Sequence, residues 1–151
     1  MSTDRPTDNS ANEPPPTMIE RIWVIVTTET VEGASQSGRL ELKIGSQTFD
    51  LPDIPTHRDR AKGVSTQYDL ALDPSIDLAD LNNNDFVFIA KTRDAWLPKS
   101  VWAIGKIAGE DKRVLVADNP DWPEAGWIGT EPTYAGGNAK KKRNFNGAVV
   151  D

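Results

Sequence analysis

Short apolar segments separated by turns constrain this chain more than any other feature of its sequence. The clearest is residues 39–44, in which Leu40, Leu42 and Ile44 alternate with polar residues. Such alternation is typical of an antiparallel strand with one buried face. Further strands are predicted at residues 22–28, 47–51, 64–72, 86–90, 100–107 and 113–117. Residues 74–81 suit a helical turn or a loop, and no long amphipathic helix is evident. Turns about every 8–12 residues therefore predict an all-β fold, a two-sheet antiparallel β-sandwich of seven or eight strands.

Composition divides the chain into a folded centre and two tails. Residues 1–17 contain four prolines and no large apolar side chain after Met1. Such a segment cannot bury enough surface to offset its ordering entropy, so a disordered tail is predicted. Residues 131–151 contain Gly136, Gly137 and a basic run, and we expect a flexible tail there. The sandwich is then predicted to span residues 18–130.

Charge and cysteine content exclude several classes of protein. The net charge of −6 argues against general binding to nucleic acid. The chain has no cysteine, which excludes a disulfide framework and a thiolate metal site. It also has no apolar leader and no transmembrane run, so a cytoplasmic location is expected.

A basic run stands apart from the otherwise acidic body. Its members are Lys140, Lys141, Lys142 and Arg143. Two interpretations stay open. The run is either a solvated end, or an electrostatic tether to lipid head groups, RNA or an acidic partner.

Residues with catalytic chemistry are scarce. The only histidine, His57, lies in a polar loop, and no nucleophile elbow or phosphate-binding loop is present. The sequence predicts a protein that is not an enzyme and has no cofactor. Calcium is the one metal considered, because acidic loops at one end of a sandwich can supply its oxygen ligands. The weak candidates are Glu29, Glu32, Asp50, Asp53, Asp85 and Asp94.

The order of the segments resembles a PLAT (lipoxygenase-homology) domain, a two-sheet sandwich of eight strands. Three features carry the resemblance. They are an apolar strand ending in threonine, a Gly-Ala-Ser turn, and a Trp followed by a short polar step and a new strand. The stretches concerned are residues 22–28, 33–35, 39–45, 86–89, 96–101 and 114–122. The resemblance covers about residues 19–128. It implies an interaction module, and some PLAT domains bind calcium.

In the register implied by the resemblance, Val101 faces the core and the neighbouring Trp102 and Ile104 point outward. An exposed tryptophan beside an isoleucine suggests that something covers both. One interpretation is a tail segment carrying Tyr134 or Phe145. The other is an interaction surface for another protein.

Trp96 is predicted to close the core, with its indole N–H bonded to a partner. It could instead act with Leu97 and Lys99 as a wedge in a membrane surface or as part of a partner-binding rim. The leading hypothesis is a protein-binding module. Peripheral lipid binding, with an anionic membrane and possible help from calcium, is the first alternative. A structural subunit of a larger assembly is the second, and the oligomeric state is left open.

Overall fold

The computed structural model describes residues 15–30, 39–52, 61, 63–91, 95–130 and 139–151, and it contains eight strands. The strands are β1 (Met18–Thr28), β2 (Leu40–Ile44), β3 (Gln47–Leu51), β4 (Ser65–Asp77), β5 (Phe86–Ala90), β6 (Pro98–Ile107), β7 (Arg113–Asn119) and β8 (Lys142–Asn144). Two single-turn 3₁₀ helices, Leu78–Asp80 and Asn83–Asp85, lie between β4 and β5.

The strands form two four-stranded sheets. The first sheet has the order β4-β1-β6-β7 and the second has the order β3-β2-β5-β8. Every pairing between neighbouring strands is antiparallel. The predicted all-β sandwich is therefore confirmed, with eight strands.

Alternation along the strands builds the core between the two sheets. In β1 the inward side chains of Ile22, Val24 and Val26 are fully buried, as are those of Leu42 and Ile44 in β2. Their neighbours in sequence are half-buried or exposed. Each sheet thus contributes one apolar face to the common core, as expected of a sandwich.

The segment predicted to be a helical turn or loop instead continues a strand. β4 runs on to Asp77 before the first 3₁₀ turn begins. The second 3₁₀ turn, Asn83–Asp85, is held by side-chain hydrogen bonds from both of its ends. Asn82 Oδ1 accepts from the backbone N–H of Asn84 at 2.9 Å, and Asp85 Oδ2 accepts from that of Asn82 at 2.9 Å. These bonds satisfy donors that a short helix leaves free.

The eighth strand corrects the predicted domain boundary at residue 130. β8 pairs with β5, and the next residue, Phe145, is 0% exposed. Its ring lies 4.8 Å from Phe86 and 5.3 Å from Phe88, centroid to centroid. Residues 139–151 are part of the sandwich, so the expectation of a flexible tail is wrong for them. The free energy gained by burying the Phe145 side chain outweighs the cost of ordering the polar segment around it. Residues 1–14 and 131–138 lie outside the described residues.

Candidate interaction surface

The outer face of the first sheet carries large apolar side chains. β1 directs Trp23 and Ile25 away from the core, and β6 does the same with Trp102 and Ile104. In the antiparallel pairing of these strands, Trp23 lies opposite Ile104 and Ile25 lies opposite Trp102. Directly opposed side chains share a face and come within about 5 Å at Cβ. The four residues therefore form a compact two-by-two block with the tryptophans on one diagonal.

β7 extends this block by one residue. The pairing of β6 with β7 shifts between Ala103 and Ile104, and Ile104 then lies opposite Leu115. Leu115 is 55% exposed. We call the five residues Trp23, Ile25, Trp102, Ile104 and Leu115 the apolar face.

The apolar face is partly exposed to solvent as far as the described residues extend. Its four central members are half-buried, whereas the inward neighbours Val24, Val101 and Ala103 are 0% exposed. Phe145, which the sequence offered as a cover, lies in the core and not over the apolar face. Tyr134, the other suggested cover, lies outside the described residues.

A basic row borders one end of the apolar face. Arg21 lies opposite Lys106, and Lys106 lies opposite Arg113. The Arg113 guanidinium lies over the Trp23 ring, 4.3 Å from its centroid, in a cation–π contact.

Two members of the basic row have acidic partners. Arg21 bonds to Asp69, and Lys106 Nζ donates to Glu20 Oε2 at 2.8 Å. The hydrogen bond from Lys106 lowers the pKa of Glu20 below its ordinary value. Because these two cations are already paired, Arg113 is the member of the row best placed to meet an outside group.

The opposite end of the apolar face is neutral and rich in hydroxyls. Thr27 lies opposite both Ser65 and Ser100 in the neighbouring strands. The Thr27 and Ser65 hydroxyl oxygens are 2.7 Å apart. Along β7, Asp118 lies opposite Trp102 and borders the apolar face on that side. The surface therefore has a basic end, an apolar centre and a hydroxyl end.

Trp96 and Leu97 lie inside the protein, which corrects their placement on a partner-binding or membrane-binding rim. Trp96 is 0% exposed and Leu97 is 4% exposed. The Trp96 ring packs edge-on against Phe88 with centroids 5.3 Å apart, and its Nε1 donates to Thr28 Oγ1 at 2.8 Å. The indole thus closes the core, and neither side chain is exposed to insert into a bilayer. Lys99 is exposed.

The basic run is divided between surface and interior. Lys140 and Lys141 are exposed and Lys142 is half-buried, but Arg143 is 8% exposed. Arg143 donates to the backbone carbonyls of Trp127 at 2.9 Å, Gly147 at 2.8 Å and Ala125 at 3.1 Å. Burial lowers the pKa of Arg143. This arginine ties the C-terminal segment to the loop before it, so it does not belong to an external tether.

The calcium candidates within the described residues have local partners and lie apart. Glu29 accepts from the backbone N–H of Thr30 at 2.9 Å, Asp50 lies 3.7 Å from Arg39, and Asp85 caps its turn. In the described ranges, no three acidic, histidine or cysteine side chains form a group that could hold a metal. The remaining candidates and the lone histidine lie outside those ranges, namely Glu32, Asp53, Asp94 and His57.

Sequence reasoning found two of the five residues of the apolar face. It placed Trp102 and Ile104 outward but did not find Trp23, Ile25 or Leu115. A signal for the first two was present, because residues 22–26 are apolar on both faces. A strand that is apolar on both faces is typical of a central strand. β1 is indeed central within its sheet, yet only one of its faces meets the core.

An antiparallel two-sheet β-sandwich with an apolar outer sheet face is the class of protein that these observations define. No protein-family model matches the chain, and no curated protein matches its sequence. Among solved structures, alpha toxin from Clostridium absonum is similar in fold, with a TM-score of 0.60 and 16% sequence identity. The match covers 91% of this chain but 34% of the toxin chain, so this chain spans about a third of that protein. In the described part of the chain, no helix is long and apolar enough to cross a membrane.

Proposed function

We propose that this protein is a non-enzymatic interaction module that binds another protein through the apolar face. The observation that carries the proposal is the contiguity of five large apolar side chains on one outer sheet face. A solvated outer face is expected to alternate with polar residues, and grouped apolar residues mark interaction surfaces. Covering them is favourable by about 25 cal/mol for each Å² of apolar surface removed from water.

The composition of the apolar face favours a protein partner. Protein interfaces have aromatic and aliphatic centres with a polar rim, and tryptophan and arginine are enriched among their strongest contacts. Here two tryptophans lie at the centre and Arg113 stacks on one of them. The PLAT resemblance supports the same class of role. A cytoplasmic location and the absence of a cofactor remain parts of this proposal.

Lipid binding is less well supported, because three of the residues that suggested it are buried or committed to other contacts. Trp96 and Leu97 are buried, and Arg143 is committed to backbone carbonyls. The net charge of −6 also opposes attraction to anionic head groups. Membership of a larger assembly would use the same apolar face, so it is one form of the protein-binding proposal.

Affinity capture with matched variants tests the proposal. The immobilised full chain is compared with Trp102→Glu, which places a charge in the apolar face, and with Val149→Glu. Val149 is 54% exposed and lies beside Arg143 in the second sheet, so it controls for adding a charge at an exposed apolar site. We expect proteins that the wild type and Val149→Glu retain and that Trp102→Glu loses. Each is then purified and its binding to the three chains is measured directly.

Two results would overturn this function. One is recovery of the same proteins, with the same affinities, by the wild type and Trp102→Glu. The other is co-sedimentation with vesicles of phosphatidylserine and phosphatidylcholine that Trp102→Glu abolishes, without any protein lost from the capture. The second result would assign the apolar face to lipid.

A further inference from the structure

The centre of the apolar face is complementary to itself. Trp23 and Trp102 occupy one diagonal of the two-by-two block, and Ile25 and Ile104 occupy the other. Each block has two rows, the pair Trp23 and Ile104 and the pair Ile25 and Trp102. A twofold axis between two such blocks that exchanges these rows brings each tryptophan over an isoleucine of the other copy. No tryptophan then faces a tryptophan, and no isoleucine faces an isoleucine. Large-over-small packing of this kind is how two sheets interdigitate.

We propose that a second copy of this chain occupies the apolar face, stacked sheet on sheet about a twofold axis that runs across the strands. This inference rests on the proposed function, since it names the partner of the same surface. Twofold dimers are the commonest protein oligomers, and their interfaces require one patch that is complementary to itself. The described surface meets that requirement in shape and also in charge.

Charge selects the direction of the axis. An axis along the strands would exchange β1 with β6 and place Arg21 over Lys106 of the second copy, so that two cations meet twice, each beside its own acidic partner, Asp69 or Glu20. An axis across the strands places Arg21 over Thr27 and Lys106 over Ser100 of the second copy. The basic row of each chain then meets the hydroxyl end of the other. Like-charge contacts are destabilising at an interface, so the second arrangement is favoured.

The favoured arrangement also supplies an opposite charge for Arg113. Across the axis, Asp118 of one copy lies over Leu115 of the other, and Arg113 of that other copy lies further along the same strand. The two positions are offset by about two residues along the strand, roughly 7 Å at the usual strand rise, which an arginine side chain can span. Two equivalent Arg113–Asp118 contacts would form in the dimer, one at each end.

The size of the sheet face indicates a weak, reversible dimer. Four strands about 4.8 Å apart and seven residues at about 3.3 Å each give a face of roughly 19 Å by 23 Å. That flat area, roughly 450 Å² in each copy, is about half of the area that stable complexes bury on each partner. We therefore expect a dissociation constant of roughly 10 µM to 1 mM for the dimer.

Sedimentation equilibrium of the full chain tests the dimer, from about 1 µM to about 1 mM. The wild type and Val149→Glu are expected to dimerise equally, and Trp102→Glu at least about tenfold more weakly. Circular dichroism checks that each variant folds, and Ile104→Lys replaces Trp102→Glu if that variant does not. A wild type that stays monomeric at the highest concentration overturns the inference. So does a folded Trp102→Glu or Ile104→Lys that dimerises as the wild type does.

A charge exchange tests the axis. Arg113→Asp and Asp118→Arg should each weaken self-association at least about tenfold, because each homodimer then carries two like-charge contacts. An equimolar mixture of the two variants should regain the wild-type affinity, because every contact across the axis is again between opposite charges. A mixture no tighter than either variant alone overturns the assigned arrangement.

These outcomes are separable from those of the proposed function. A monomeric chain that still captures another protein, with binding lost in Trp102→Glu, refutes the second copy and leaves the interaction module intact. A chain that neither self-associates nor loses any captured protein in Trp102→Glu refutes both.

Discussion

The hydrogen bond between Trp96 and Thr28 offers the sharpest test of how the core is closed. Both side chains are 0% exposed, and the donor and acceptor are 2.8 Å apart. Indole nitrogen is only a donor, so Thr28 Oγ1 is the acceptor on which it depends. Thr28→Val keeps the shape of the side chain and removes that acceptor. A buried donor left unsatisfied costs about 1–3 kcal/mol, and we expect the free energy of unfolding to fall by that amount.

Thermal and urea unfolding measure this loss. A chain of this size loses about 2–4 °C in melting temperature for each kcal/mol. Thr27→Val is the matched control, because it makes the same chemical change at the preceding residue, whose hydroxyl contacts that of Ser65 on the exposed outer face of the sheet. The control should change stability by less than about 0.5 kcal/mol.

A double-mutant cycle measures the interaction energy between Trp96 and Thr28. In Trp96→Phe the indole N–H is absent, so adding Thr28→Val should cost at least about 1 kcal/mol less than it does in the wild type. Equal costs in the two backgrounds would refute the reasoning, as would a Thr28→Val variant within about 0.3 kcal/mol of the wild type.

Three further predictions concern the rest of the described structure. Arg143→Met should lower the free energy of unfolding by roughly 2–4 kcal/mol, since it removes donors from buried carbonyls, whereas Lys141→Met at an exposed site should have little effect in the same urea titration. Gly105→Ala should cost about 1–3 kcal/mol in thermal unfolding, because a Cβ there would lie 2.7 Å and 2.9 Å from two side chains inside the sandwich. The stabilisation from ionised Glu20 is present above the pKa of the unfolded carboxyl and is lost as pH falls through the lower folded pKa. The stability difference between wild type and Glu20→Gln should therefore disappear in acid, and a difference that persists there would contradict it.

Much of the fold follows from local pattern. The strands β3 and β5 begin and end where alternation and apolar runs in the sequence place them. β4 ends five residues later than predicted, because Asp73 and Pro74 interrupt its alternation while pairing with β1 continues at Ile76 and Asp77. β8 is not predicted by the sequence. Three residues dominated by charge carry no strand signal of their own, and their pairing with β5 depends on Phe145 entering the core.

The candidate site was predictable only in part, for a similar reason. Alternation in β6 is enough to place Trp102 and Ile104 on the face opposite Val101. Nothing local shows that Trp23 and Leu115 lie beside them, because these residues are far apart in the sequence. Their juxtaposition is a property of the antiparallel pairing, and it alone turns two outward-facing residues into a surface of five.

The sequence by itself determined the all-β class, most of the strand positions and the two faces of each strand, because successive side chains in a strand must point in opposite directions. The tertiary structure decided which strands are neighbours and which face of each strand meets the core. It made Trp96 part of the core through Thr28, and it made Arg143 a structural cation through three carbonyls. It also left a second apolar side of β1 and β6, with Trp23, Ile25, Trp102 and Ile104, facing away from the core. These outcomes depend on contacts between residues distant in the chain, which no local pattern records.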